Sequence, residues 1–254
     1  MSALAISGLG VRFGELQILD GVDLDVPFGE LHVLMGPNGS GKSTLCHAVM
    51  GRPGYFADGS VKVDGVELLG KPVEERARAG LFEGFQYPVE VPGVTLEELI
   101  GEMALVGGPE VGERAARAAS DLDLKPFLGR SVNVGLSGGE KKRSEILQLL
   151  ALSPKAAILD EIDSGLDVDS VREVAEAVEG MRSESLGVLV ITHYARVLRY
   201  LDVDRVHVMM AGTVVRSGGR DLADHLDSVG YEGIRKELGM EPEEESGDDF
   251  LKGL

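Results

Sequence analysis

The alternation of hydrophobic and polar positions divides this 254-residue chain into three parts. In the first third, short apolar runs alternate with turn signals such as Asp58-Gly59 and Asp64-Gly65, a pattern typical of β-strands. The strands predicted there are Ala3–Ile6, Gln17–Leu19, Val22–Val26, Leu31–Met35, Ser60–Val63 and Val66–Leu68.

The second part, from about Thr95 to Leu152, is predicted to be helical, because apolar residues recur there at helical spacing. After Pro154 the alternation of strand and helix resumes, with a helix from Val168 to about Met181. The strands predicted in this last part are Ala156–Leu159, Val188–Thr192, Arg205–Met210 and Thr213–Arg216. The pattern therefore predicts an α/β core that is interrupted by a helical lobe.

A glycine-rich loop lies between the apolar run Leu31–Met35 and the helix-compatible segment Leu45–Met50. Backbone N–H groups in such a loop, together with the positive end of the following helix dipole, surround phosphate groups. Lys42 is expected to reach the β- and γ-phosphates, and the Ser43 hydroxyl is expected to hold Mg²⁺. The loop fits G-x-x-x-x-G-K-[ST] and predicts a site for ATP or GTP formed by Gly36, Pro37, Asn38, Gly39, Ser40, Gly41, Lys42, Ser43 and Thr44.

Two further segments carry candidate chemistry. The apolar strand Ala156–Leu159 ends in Asp160 and Glu161, and two acids at the end of a buried strand are costly unless a cation lies beside them. Asp160 is expected to bind Mg²⁺, and Glu161 to orient or deprotonate an attacking water. In the second segment, Ser137 is a predicted helix N-cap followed by two glycines, which suggests a second anion site.

The composition of the chain argues against several classes of function and location. With 25 Lys and Arg against 43 Asp and Glu, the net charge of −18 argues against a nucleic-acid-binding surface. No apolar stretch approaches the ~20 residues that span a bilayer, and the N-terminus lacks the features of a signal peptide. The single cysteine, Cys46, excludes an internal disulfide and fits a reducing, cytoplasmic location. The acid-rich segment 241–254 is expected to be a solvated, mobile tail.

The phosphate loop, the segment Leu136–Glu140, the pair Asp160-Glu161 and His193 stand in the order and approximate spacing of ABC-type ATPases, a family that this chain resembles. The resemblance implies a phosphate-loop NTPase core with a mixed β-sheet, an N-terminal antiparallel β subdomain and an inserted α-helical lobe. It implies a single domain, with a core lobe over about 1–88 and 154–240 and a helical lobe over about 89–153.

The resemblance also implies roles for single residues. Gln86 is similar to the glutamine that joins the lobes and touches Mg²⁺, and His193 to the histidine that senses the γ-phosphate. Phe13 is the candidate for the aromatic ring that stacks on adenine, although a buried core phenylalanine is the alternative. In this family two ATP molecules lie between two protomers, so that Ser137, Gly138 and Gly139 face the phosphate loop of the partner in a transient, ATP-dependent homodimer. The implied cofactors are ATP and Mg²⁺, and Glu161, His193 and Lys42 are the catalytic candidates.

Within the family, the chain is similar to the SufC group, the soluble ATPases of SUF iron–sulfur cluster assembly. Transporter ATPases usually carry Pro-Thr where this chain has Asp163-Ser164, and Asp where it has Tyr194. The resemblance implies a scaffold partner of SufB and SufD type that docks near Tyr87–Val94, without direct insertion into a membrane. The segments that carry it, between about Ala3 and Gly230, are Gly84–Val94, Arg130–Gly135, Gly139–Gln148, Asp160–Asp169 and Ile191–Tyr194.

Two alternatives remain open at the level of sequence. Most ABC ATPases serve membrane transporters, so the chain is alternatively the nucleotide-binding subunit of one. A non-hydrolysing, ATP-gated interaction module is the other alternative, and Glu161 and His193 argue against it.

Overall fold

The computed structural model describes residues 1–193 and 195–240. The described residues form twelve β-strands and seven α-helices. The strands are β1 (Ser2–Phe13), β2 (Leu16–Pro27), β3 (Leu31–Met35), β4 (Tyr55–Val63), β5 (Val66–Glu67), β6 (Leu81–Gly84), β7 (Val91–Thr95), β8 (Ser131–Val132), β9 (Ala156–Asp160), β10 (Gly187–Thr192), β11 (Arg205–Met210) and β12 (Thr213–Gly218). The helices are α1 (Lys42–Met50), α2 (Val73–Arg78), α3 (Leu96–Gly107), α4 (Pro109–Asp121), α5 (Gly138–Leu152), α6 (Val168–Gly180) and α7 (Arg220–Glu237).

The N-terminal part forms an antiparallel sheet in the order β2-β1-β4-β5. β1 and β2 are joined by a two-residue turn, in which Gly14 adopts a φ of 60° that favours glycine. The two short strands predicted over Gln17–Leu19 and Val22–Val26 are parts of one longer strand, β2. Between these two parts of β2 the pairing with β1 shifts its register, between Leu9 and Val11 of β1.

The central sheet has the order β12-β11-β3-β10-β9-β6, and all neighbouring strands in it are parallel except the edge pair β11 and β12. Strands β3, β9 and β10 are buried along their whole length, as expected when both faces of a parallel sheet are covered. In the register, Met35 pairs with Thr192, and Asp160 pairs with Ile191. The carboxyl ends of β3, β9 and β10 therefore meet at one edge, where ligands bind in open α/β sheets.

Helices α3, α4 and α5 form the inserted lobe, together with the small antiparallel pair β7 and β8. Helices α3 and α5 both begin with a capping box: Thr95 pairs with Glu98, and Ser137 pairs with Glu140. Because these caps satisfy the first backbone N–H groups locally, each start is defined by its own sequence.

The core has two apolar clusters, one on each face of the central sheet. Val188 and Val190 face the cluster that includes α4, α5 and α6, whereas Leu189 and Ile191 face α1 and the antiparallel sheet. This alternation along β10 is the period of two that strands impose.

The structure confirms the expected fold class: a mixed central sheet, an antiparallel N-terminal sheet and a helical insertion. The elements α2, β6, β7 and β8 were not predicted, because each is too short to show a period. Helix α7 was not predicted either, and its 18 residues are interrupted by a non-helical backbone at Gly230. Tyr194 and the acidic segment 241–254 lie outside the described residues. Within the described part of the chain, no helix is both long and apolar enough to cross a membrane.

Candidate nucleotide-binding and hydrolysis site

The phosphate loop connects β3 to α1, and close packing requires two of its glycines, Gly36 and Gly41. A Cβ atom on Gly36 would lie 2.4 Å from the backbone oxygen of Met209 and 2.6 Å from Ser40 Oγ. Gly41 has a φ of 106°, and a Cβ there would lie 2.5 Å from Leu19 Cδ2. Gly41 also caps α1 without a side-chain hydrogen bond, so the first N–H groups of the helix stay available to an anion.

Lys42 is buried and bends back over the loop. Its Nζ donates hydrogen bonds to the backbone oxygens of Gly36 at 2.8 Å and Pro37 at 2.9 Å. Burial lowers the pKa of Lys42, while the nearby carboxylates of Glu161 and Asp160 act in the opposite direction. The ammonium group is therefore held at the loop and beside the acids at the end of β9.

Asp160, the last residue of β9, is buried, and no described residue donates a hydrogen bond to its Oδ1. Burial, and next the adjacent Glu161, raise the pKa of Asp160 to about 6. A buried carboxylate oxygen without a donor is the kind of ligand that Mg²⁺ takes. Ser43, the second residue of α1, is exposed and can supply a hydroxyl. These residues therefore fit a magnesium ion.

Glu161 lies where three segments meet. Its backbone has a φ of 45°, in the left-handed region that a non-glycine residue seldom adopts. Its N–H donates to the backbone oxygen of Ile191 at 2.8 Å, which anchors the turn to β10. Gln86 Nε2 donates to Glu161 Oε2 at 2.5 Å, and His193 Nδ1 lies 3.4 Å from Glu161 Oε1. The structure thus brings together three residues that the sequence suggested separately.

The turn after Glu161 is tied to the strand that leads to His193. Asp163 is completely buried, and its Oδ1 accepts a hydrogen bond from Thr192 Oγ1 at 3.0 Å. Thr192 is the last residue of β10, directly before His193. This bond therefore fixes the two segments that carry Glu161 and His193 relative to one another.

Ser137 and Gly138 are exposed at the start of α5. A Cβ on Gly138 would lie 2.7 Å from Leu166 Cδ2, and one on Gly139 would lie 3.1 Å from Ser170 Oγ. In the described residues, no hydrogen bond or ion pair joins Ser137, Gly138 or Gly139 to the phosphate loop. The structure of one chain therefore does not bring these predicted nucleotide contacts to its own loop.

Phe13 ends β1, and its side chain is 45% exposed. Its ring contacts the Tyr55 ring at 5.2 Å between centroids, and a Cβ on Gly54 would lie 3.1 Å from Phe13 Cε2. The ring is therefore not part of the core, and its contact with adenine stays a prediction.

Sequence reasoning missed two buried charged residues on α5, Lys142 and Glu145. They lie three positions apart and contact the backbone of Phe85, next to Gln86. The available signal was their position on the same side of the helix as the buried Ile146 and Leu149, where charged residues are unusual.

The family model described as "ABC transporter" matches residues 19–164. The chain is 47% identical over 253 residues to "Vegetative protein 296" of Bacillus subtilis, covering 95% of this chain and 97% of that protein. It is 40% identical to "Probable ATP-dependent transporter ycf16" of Guillardia theta over 92% of this chain and 98% of that one. Among solved structures, the ADP conformation of MJ1267, an ATP-binding cassette of an ABC transporter, matches with a TM-score of 0.78 and 28% identity, covering 94% of this chain and 99% of that chain.

Proposed function

Since the chain belongs to the ABC transporter family and is an ATPase of the ATP-binding-cassette type, we propose that it hydrolyses ATP to change the shape of a SufB/SufD-type scaffold on which iron–sulfur clusters are assembled. The observation that carries the hydrolytic part is the contact of Gln86 and His193 with Glu161 at the edge of the central sheet. The support for the scaffold comes from the segments around Gln86, Asp163 and His193 that resemble the SufC group.

In the proposed mechanism the phosphate loop and the start of α1 hold the phosphates, and Lys42 places its charge against the β- and γ-phosphates. Ser43, Gln86 and Asp160 would hold Mg²⁺, which would supply positive charge against the phosphates. Glu161 accepts a proton from the attacking water, with its carboxylate oriented by the Gln86 amide. His193 is placed to contact the γ-phosphate.

The exposed start of α5 supports a site completed by a second protomer. Among the described residues, Ser137 and Gly138 face solvent and have no hydrogen bond or ion pair with the loop of their own chain. We propose that these residues and Gly139 bind the nucleotide of the partner, so that ATP joins the protomers and hydrolysis releases them.

The proposed docking surface is the segment Tyr87–Val94, which exposes large apolar side chains directly after Gln86. Tyr87 is 72% and Val89 is 60% exposed. Exposed apolar clusters of this kind mark interaction sites. A partner bound here would act on Gln86 and, through it, on Glu161.

Glu161→Gln tests the hydrolytic assignment. The amide keeps the size of the side chain but cannot accept the proton, so we expect kcat to fall by about 10²-fold or more while ATP still binds. Glu176→Gln, on the exposed face of α6, is the matched control and is expected to keep the parental rate. Parental turnover in Glu161→Gln would show that the assignment is wrong.

Co-purification tests the partner. A tagged chain is expected to retain a SufB/SufD-type scaffold, and the double variant Tyr87→Ala with Val89→Ala is expected to lose it. Leu152→Ala, which changes an exposed apolar residue at the end of α5, is the control and is expected to retain the scaffold.

The second candidate function, a transporter subunit, is favoured by the names of relatives such as "Probable ABC transporter ATP-binding protein SpyM3_0208" of Streptococcus pyogenes, 47% identical over 97% of this chain. Recovery of a membrane permease without a scaffold protein would decide for that candidate.

A further inference from the structure

Two buried charges on α5 hold the backbone of a single residue, Phe85. Lys142 is 4% and Glu145 is 8% exposed, and Lys142 Nζ lies 3.4 Å from Glu145 Oε2. Glu145 Oε1 accepts a hydrogen bond from the Phe85 N–H at 3.0 Å, and Lys142 Nζ donates to the Phe85 backbone oxygen. Both polar backbone groups of Phe85 are thus bound by one turn of α5.

Phe85 lies at a point where the chain leaves the central sheet. β6 ends at Gly84, so the backbone of Phe85 has no partner strand to fix it. Its ring is covered by the guanidinium of Arg52, whose Cζ lies 5.5 Å from the ring centroid. The next residue is Gln86, whose amide donates to Glu161. The orientation of Gln86 therefore depends on contacts that α5 makes with Phe85.

The pair is expensive to bury. Removing two charges from water costs several kcal/mol each, and a buried ion pair often stabilises a fold no better than apolar residues of similar size. Burial lowers the pKa of Lys142 and raises that of Glu145, while the attraction between them opposes both changes. A contribution to fold stability alone therefore does not explain why this ion pair is buried. The two hydrogen bonds to Phe85 indicate that the pair fixes the backbone of that residue.

We propose that Glu145 and Lys142 are positioning residues for ATP hydrolysis, which fix the Phe85–Gln86 backbone so that the Gln86 amide holds the Glu161 carboxylate in its reactive orientation. The inference rests on the roles proposed above for Gln86 and Glu161. Along α5, Lys142 lies about one turn and Glu145 about two turns from Ser137 and Gly138, so the pair also connects the surface that faces the partner's nucleotide with the hydrolytic group of its own chain. Glu145 is the cleaner probe, because Lys142 additionally interacts with Asp160 and Asp163.

A double-mutant cycle tests the inference through turnover of the full-length chain. Glu145→Ala is expected to lower kcat about 10-fold with less than about a twofold change in KM for ATP, since a misplaced reacting group costs rate rather than binding. Glu145→Gln keeps an acceptor for the Phe85 N–H and is expected to recover most of the rate. In a Gln86→Ala background, Glu145→Ala is expected to cost less than about twofold, because its effect passes through Gln86.

A merely structural role gives a different result. If Glu145→Ala reduces kcat by the same factor with and without Gln86, or acts on KM, the inference is wrong. Gln148→Ala, whose side chain donates to the Ser144 oxygen on the same helix, is the control and is expected to behave as the parent. If Gln86→Ala and Glu161→Gln both leave turnover unchanged in the parental chain, the proposed hydrolytic site itself is wrong. Independent effects in the double-mutant cycle would instead contradict only the positioning role of Glu145.

A second variant separates folding from positioning, in case Glu145→Ala does not fold. Lys142→Met combined with Glu145→Leu replaces the buried ion pair by apolar residues of similar size, which is expected to keep or raise the thermal stability. It removes both hydrogen bonds to Phe85, so kcat is expected to fall as in Glu145→Ala. A stable double variant that turns over at the parental rate would overturn the proposal.

Discussion

Thr192→Val perturbs the hydrogen bond that ties the turn after Glu161 to β10. Valine keeps the shape of threonine, so the completely buried Asp163 loses the donor at 3.0 Å without a cavity being opened. A buried acceptor that loses a donor costs about 1–3 kcal/mol. For a chain of this size, about 2 kcal/mol corresponds to a decrease in Tm of roughly 4–8 °C. Because Thr192 precedes His193, we also expect a lower kcat.

The free energy of unfolding in urea measures the effect, with Thr192→Ser as the rescue variant that restores the hydroxyl. Thr213→Val is the matched control, since the Thr213 hydroxyl donates to the backbone oxygen of Met210 at 3.2 Å at a half-buried site. We expect the control to lose less than about 1 kcal/mol. If Thr192→Val and Thr213→Val lose the same stability, or if serine fails to rescue, the bond to Asp163 does not fix this turn.

Three further predictions use the pKa shifts and the glycine packing. Burial, and next the adjacent His32, lower the pKa of His207 to about 4. Below about pH 6.5 the unfolded chain therefore binds a proton at this histidine that the folded chain does not bind, so the folded state loses stability as the pH falls. His207→Asn is expected to reduce the loss of unfolding free energy between pH 7 and pH 5 by about 2 kcal/mol. The Asp160 carboxyl, with its pKa raised to about 6, binds Mg²⁺ only when ionised. The Mg²⁺ concentration for half-maximal turnover is therefore expected to rise about fourfold from pH 7.5 to pH 5.5. An unchanged value would contradict the assignment of Asp160 as a Mg²⁺ ligand. Gly36→Ala places a Cβ 2.4 Å from the Met209 oxygen and is expected to abolish binding of a fluorescent ATP analogue. The control is Gly101→Ala, which lies in open space within α3 and is expected to bind the analogue normally. Its free energy of unfolding is expected to increase by about 0.5–1 kcal/mol.

The parts of the fold that the sequence predicted are those set by local patterns. The run Leu31–Met35 is apolar throughout because the strand is buried on both faces, and it was predicted with the observed bounds. Ser137 was predicted as an N-cap, and its side chain accepts a hydrogen bond from the Glu140 N–H. Strand β6 was missed, because its four residues include a charged side chain, Glu83, and its pairing depends on β9, a distant segment.

The candidate site was predictable as a set of residues but not as a geometry. The motifs placed the phosphate loop after β3 and Asp160 at the end of β9, and the sheet order then brought both of these strand ends beside β10. The left-handed backbone of Glu161 could not be predicted, because a non-glycine residue adopts it only when the surrounding structure forces it to. The contact between Glu145 and Phe85 joins residues 60 positions apart, and no local period reports such a pair.

The position of β3 between β10 and β11 has a consequence for the order of events during synthesis. β3 and the loop that follows it leave the ribosome early, yet both neighbouring strands come from the last third of the chain. Long-range parallel pairing of this kind forms late and slowly. A growing chain therefore carries a complete phosphate-loop sequence long before it has a sheet to hold it, so ATP cannot assist the folding of the first two thirds. The ability to bind nucleotide arrives in one step, when β10 and β11 enclose β3.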